Sequence, residues 1–391
     1  MSQTSCPDCI ELEFMRSLFI TIYKKTTYEY SYGQSQIMNG NRSVQNANLD
    51  TATFGRGGQI LCLHLVVFAT RLHLATTFRQ CDRCRPLALT PAHRAAMKRL
   101  AAGPLYYEFS RHNEPRLRIQ PGETIVVEAE DAFSGQVRSN DDRRDKSKIP
   151  YGNPQTGPIW IEGAEPGDSL AVTIHEIKPT LRQCSTRTSD PKQLAEWLGT
   201  ECPHGTHVCK IVDGQILWSD QVSIPYRPML GCIGTAPDNG VPTTFPAGPH
   251  GGNMDIIEVC PGNIVYLPVY VRGGYLYLGD AHAAMGHGEL SASGLEMPSE
   301  STITVNLVKQ KRIPGPRVES PDEIMTIVSG CPMERSIAQA SAQLALWMES
   351  DYGWDRWRAY DILTHVAQIS VGYYALGTVA VKIAKQYVNA K

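Results

Sequence analysis

The 391-residue chain has no long apolar run, no excess of one charge sign and little charge of either kind. The nearest approach to a membrane span, Ile60 to Ala69, is too short, contains His64 and runs into Arg71 and His73. With 37 Lys+Arg against 39 Asp+Glu and a net charge of −2, neither a strongly basic nucleic-acid binder nor an acidic disordered tail is expected. Charged residues at 19% argue against a coiled coil and against disorder. The opening residues, MSQTSCPDCIELEF, lack a basic stretch followed by an apolar one. A soluble, cytoplasmic protein with neither nucleic-acid nor membrane partners is therefore the expectation. Missing too are the G-x-S-x-G elbow, the P-loop and the HEXXH helix, so serine-hydrolase, nucleotide and zincin chemistries have no support.

Turn formers are plentiful instead. The 33 Gly and 26 Pro make up about 15% of the chain against an average of roughly 12%, which favours a turn-rich β protein. Eleven cysteines are scattered along it. Two C-x-x-C pairs, Cys6/Cys9 and Cys81/Cys84, could together supply a four-thiolate zinc site. Their separation of about 70 residues, where about 15–20 is usual, favours unrelated free thiols. Cys232, in MLGCIGTA, reads as a packed thiol and not as a nucleophile.

Residues 1–103 differ in texture from the rest and read as an atypical N-terminal extension. Tyr23 to Asn48 is rich in Tyr, Ser, Gln and Asn without a sustained period, and TPAHRAAMKRLAA at 90–102 predicts one short helix. From Pro104 the strand signals sharpen. Thr124 to Ala129, Pro158 to Glu162 and Leu170 to Ile177 are β-branched runs bounded by Pro-Gly turns. Ile264 to Val271 and Tyr275 to Leu278 flank Arg272-Gly273-Gly274 as a hairpin-like pair, with Pro268 marking an edge or a bulge. Glu289 to Val308 predicts two strands around Pro298. Residues 104–320 thus read as a β-rich core and 321–391 as a helical part. Its helices are expected at Met333 to Ser350, Trp357 to Ile369 and Thr378 to Val388.

The densest functional stretch runs from HGGNMD at 250–255 to GDAHAAMGHGE at 279–289. Carboxylate and imidazole are the ligand types that suit a catalytic divalent ion. In an extended backbone Asp280 and His282 point to one face, and Gly279, Gly286 and Gly288 allow close approach. An Asp in a Gly-rich loop is also a common Asx-turn residue, so that alternative stays open.

DAFSGQ (131–136), NPQTGPIWIEGAEPGD (153–168), RPMLGCIGTAP (227–237), HGGNMD, YLPVYVRGG (266–274) and GDAHAAMGHGE occur in this order. Together they make residues 104–389 resemble the acetamidase/formamidase family of amide hydrolases. The resemblance implies a mainly β fold of sandwich and barrel-like subdomains, with a small α/β part and a helical C-terminal segment. It also implies a divalent metal, zinc by expectation, and hydrolysis of short aliphatic amides to carboxylate and ammonia; a small amide substrate and a homo-oligomer are the expected partners. Within the matching motifs Asp131, His250, Asp280 and His282 are the candidate metal ligands. Glu289 is the candidate general base with Glu162 in reserve, and Asn253 with the amides of 251–252 is a candidate oxyanion donor. One departure stands out: the family's loop reads G-D-G-E, where this chain has His287 in Gly286-His287-Gly288-Glu289. A competing expectation from another class is a β-rich metal-binding relative that has lost amidase turnover.

Overall fold

The computed structural model describes residues 97–188, 196–201, 203 and 205–389. The chain is mainly β there, in two large sheets with helices near its C-terminal end. The first, nine-stranded sheet runs β1 (Lys98–Leu100), β3 (Glu123–Ala129), β16 (Ser299–Val308), β5 (Ser169–Pro179), β13 (Ile264–Pro268), β17 (Arg317–Glu319), β18 (Glu323–Val328), β20 (Val379–Ala384), β19 (Gln368–Val371). The second runs β11 (Ala247–Gly248), β12 (Gly251–Asn253), β10 (Met229–Thr235), β14 (Leu276–His282), β15 (Glu296–Met297), β6 (Gln183–Thr188), β7 (Gly205–Val212), β8 (Gln215–Leu217), β9 (Ser223–Pro225). Strand β4 (Gln155–Ile161) pairs with β14 and with β2 (Leu117–Ile119).

One hydrophobic core joins both sheets, with Ile125, Ile174 and Val305 from the first meeting Leu230 and Leu278 from the second. Every residue of β10 and of β14 is buried. Strands covered on both faces read as continuous apolar runs; MLGCIGT and LYLGDAH fit that pattern except at Asp280 and His282. Polar groups placed in such a strand must find partners or lose free energy. That conflict locates the site.

Several local expectations give way to tertiary pairing. Lys98–Leu100 is not helical; it is a strand parallel to β3, with Lys98 opposite Ile125 and Leu100 buried. Burial and ladder bonds there outweigh helix propensity, while residues 90–96 of the predicted helix lie outside the described part. Val379–Ala384 is likewise a strand, and only Lys385–Val388 forms a helical turn, since VAVKIA is rich in β-branched residues and pairs with β18 and β19 on its two sides. Ile264–Pro268 and Leu276–His282 are not a hairpin, because the Gly-Gly turn carries the chain from one sheet to the other. Pro268 ends a strand inside the first sheet, not an edge strand, and is paired with Ser169 of β5 while the ladder to β17 stops at Tyr266. The C-terminal part is therefore mixed. Helices α1 (Met333–Tyr352) and α2 (Arg356–Val366) pack on β18 and β20 through Ala340, Leu344, Trp347 and Leu363. Asp355 starts α2 by accepting the Trp357 and Arg358 amides. The C-x-x-C pairs fall outside the described residues. Cys232 is fully buried, and burial holds its thiol well above the usual range, as a packed thiol requires. Among the described residues no helix is long and apolar enough to cross a membrane.

Candidate active site

The second sheet gathers charge at one place. His282, the last residue of β14, faces Glu296 across the antiparallel ladder with β15. Its Nε2 lies 3.1 Å from Glu296 Oε2 and 3.6 Å from Asp280 Oδ1. His282 Nδ1, Asp255 Oδ1 and Asp280 Oδ1 are buried without a well-formed hydrogen bond, while His282 Nε2 and Glu296 Oε2 meet only as an ion pair. Ligand atoms of Asp255, Asp280 and His282 lie within 4.8 Å of one another, as do those of His282, Glu289 and Glu296. Buried polar atoms are nearly always paired, so this set of orphans is unusual. Carboxylate oxygens and an imidazole are the donor chemistry of a divalent cation site, and their orphaned atoms fit one.

The surrounding polar groups order these side chains. Asn153 Nδ2 donates to Asn253 Oδ1 (2.8 Å) and to Asp280 Oδ2 (3.1 Å), while Asn253 Nδ2 donates to Asp255 Oδ2 (2.7 Å). Ser293 Oγ donates to Glu296 Oε1 (3.2 Å). Glycines make room for the cluster. A methyl group on Gly231 would stand 2.6 Å from Asp255 Oδ1 and 2.8 Å from Asp280 Oδ2, and one on Gly294 would stand 2.5 Å from His282 Nδ1. The backbone is strained at the same place. Asn153, Asp255, Asp280 and Glu289 all have left-handed φ, between 44° and 57°. Such conformations cost a non-glycine residue about 1–3 kcal/mol each and concentrate at functional sites.

Burial dominates the electrostatics. It lifts the Glu289 carboxyl to about 8, with Glu296 and Asp280 adding to the rise and His282 opposing it. Burial, then Glu289 and Asp280, holds Asp255 well above the carboxylate range, and burial raises Glu296 as well. For His282 burial opposes the charge, but Glu296 and Asp280 outweigh it and hold the imidazole well above its usual value. Four carboxyl groups around one imidazole resist ionising together, and a bound cation would favour their charged forms.

Asp280, Glu289 and Glu296 open onto a cavity of about 410 Å³ that Asn153 and Asn253 also line. The structure brings together Asp280, His282, Glu289 and Asn253 of the sequence candidates, and it places the others elsewhere. Asp131 accepts the Phe133 and Gly135 amides and pairs with Arg138, so it organises the loop that carries Phe133 to the cavity wall. His250 stands edge-on to Phe109 with its Nε2 unpartnered, and burial lowers its pKa to about 4. Glu162 is half-exposed beside Arg118, 3.5 Å away, and does not line the cavity. His287 is exposed and belongs to neither ligand group. Asn253 is already committed as a strut between Asn153 and Asp255.

Sequence reasoning assigned no role to Asp255, Glu296 or Asn153. Asp255 ends the HGGNMD motif and was in view there. Asn153 reads as a turn residue before Pro154. Glu296 carries no local signal at all; only its pairing with His282 brings it in.

The sequence model of the Acetamidase/Formamidase family matches residues 108–248 and 238–367. The acetamidase of Yersinia enterocolitica superposes with a TM-score of 0.69 at 31% identity, covering 75% of this chain and 93% of that one. The acetamidase of Bacillus halodurans gives 0.68 at 31% identity, covering 74% and 98%. The formamidase of Methylophilus methylotrophus is 27% identical over 256 residues, 49% of this chain and 61% of its own length. The chain thus spans about three fifths of the length of the curated relatives it matches. Since the matched segments run through the strands and turns that carry Asp255, Asp280, His282, Glu289 and Glu296, the chain belongs to the acetamidase/formamidase family.

Proposed function

We propose that the protein hydrolyses the C–N bond of short amides, using a divalent cation held by Asp255, Asp280 and His282. The observation that carries this reading is the buried cluster of Asp255, Asp280 and His282, which meets a cavity through Asp280. Bound there, a cation such as zinc would supply polarisation of an amide carbonyl and acidification of water. Glu296, across the ladder from His282 with Oε2 3.1 Å from Nε2, is a further carboxylate that could share the cation. Asn153 and Asn253 hold the Asp280 and Asp255 carboxylates in place. Glu289 faces the cavity from the turn after β14, where it takes a proton from the attacking water and returns it to the departing nitrogen. Water oxygen bonds to the amide carbon, the C–N bond breaks, and carboxylate and ammonia leave.

Elemental analysis of the purified protein, coupled to an ammonia-release assay on formamide and acetamide, tests the reading. Stoichiometric divalent metal with ammonia release is expected. Metal binding without ammonia from either amide would favour a binding protein that has lost turnover. A second test concerns space. Gly231→Ala drives a methyl group against both carboxylates and is expected to lower metal occupancy by at least about tenfold, the size of loss seen when a ligand's support is removed. Unchanged occupancy and turnover with unchanged circular dichroism would show that the ligands have been misplaced.

A further inference from the structure

Two arginines on the wall of the same cavity take no part in the chemistry above. Arg144 and Arg187 both line it. Arg144 Nε and Nη2 and Arg187 Nε are buried without a hydrogen-bond partner. Among the described residues neither guanidinium makes an ion pair with Asp280, Glu289 or Glu296, although all five line the same cavity. They lie near enough that Arg187, after burial, disfavours the charge on Arg144. A guanidinium stays charged at any working pH. Two of them, half-buried and repelling one another, are costly to hold until an anion joins them.

Both are nevertheless held in place. Arg144 lies across Gly152, where a methyl group would stand 3.1 Å from its Nη1. Arg187 lies 5.9 Å from the centre of the Phe133 ring, on the loop that Asp131 organises. Guanidinium forks match a carboxylate bidentately. The cavity volume points the same way. It is about 410 Å³, whereas an amide of three or four heavy atoms needs on the order of 100 Å³, taking about 30 Å³ per water-sized group. Most of the cavity is left over when formamide or acetamide is bound.

We propose that Arg144 and Arg187 form an anion recess, and that the preferred substrate is a primary amide carrying a carboxylate at its far end. The recess rests on the amidase reading only for the fate of the amide end. There, water adds to the carbonyl carbon, the C–N bond breaks, nitrogen leaves as ammonia and the product is a dicarboxylate.

The experiment uses the full chain as purified, loaded with zinc, and compares succinamate with the uncharged butanamide. Succinamate is expected to have the higher kcat/KM by about 10- to 100-fold, the range of one or two charge-assisted hydrogen bonds. Arg144→Gln and Arg187→Gln are each expected to shrink that ratio, and Arg144→Lys to shrink it less. Calorimetry with succinate reads the recess without turnover, and the double Gln variant is expected to bind it at least about tenfold more weakly. If no amide releases ammonia yet succinate binds through the arginines, the recess stands and the amidase reading falls. If butanamide is turned over and succinamate is no better, or if succinate binding ignores both substitutions, the proposal is overturned.

Discussion

Asp280→Asn is expected to abolish the proposed cation binding and amide turnover while making the metal-free protein more stable. Asp280 sits in a fully buried strand, with Oδ1 unpartnered and Asp255, Glu289 and Glu296 close by. Removing one of several mutually repelling buried carboxylates stabilises the cation-free fold by about 1–3 kcal/mol. That raises the melting temperature in chelator by roughly 3–8 °C. Asn is the right replacement because it tolerates the left-handed backbone at this position and can still accept the Asn153 amide. Ion affinity should fall by more than the 10- to 100-fold typical of a lost supporting group. Stability and function then move in opposite directions, as expected where a site holds strain for its task. Full occupancy and normal ammonia release would remove Asp280 from the site. A lower melting temperature in chelator would mean that attraction to His282 exceeds the repulsion.

Glu289→Gln separates two roles that the geometry brings close together. Glu289 shares one ligand group with His282 and Glu296, yet it is also a carboxylate facing the cavity. As the proton carrier, its loss should lower kcat by about 10²- to 10⁴-fold, with the ion retained and KM little altered. Gln keeps the shape and the same backbone preference, so folding is preserved. Loss of the ion together with activity would make Glu289 a ligand and move the base elsewhere. Elemental analysis alongside kinetics reads both quantities on one sample.

Much of the strand content was legible locally. ETIVVEA, SLAVTIHEIKP and the two strands around Pro298 are strands in the structure, and the Ala340, Leu344, Trp347 stripe does face the core. The misses share a cause. Lys98–Leu100 and Val379–Ala384 have neighbours far away in sequence, and ladder pairing with those neighbours overrides what a short window prefers. The 264–278 segment has the look of a hairpin, but the twist of the chain at Gly273-Gly274 sends its two arms into different sheets.

The site divides along the same line. By itself the sequence determined the chemistry available. Asp280 and His282 alternate on one strand, Glu289 follows in the next turn, and Asp255 closes the HGGNMD motif. Their types and closeness along the chain are local properties, although the left-handed backbone at Asp280 departs from the simple alternation of an extended strand. Only the tertiary structure decided which other groups join them. Asp131 and Glu162 belong to the same motifs, yet Arg138 and Arg118 claim them elsewhere. Glu296, with no motif, enters because β15 is the strand that pairs with His282. Asn153 enters because its amide reaches Asn253 and Asp280 from the stretch preceding β4. Register between distant strands, and the room left by Gly231 and Gly294, are set by packing of the whole core, which no local spacing encodes.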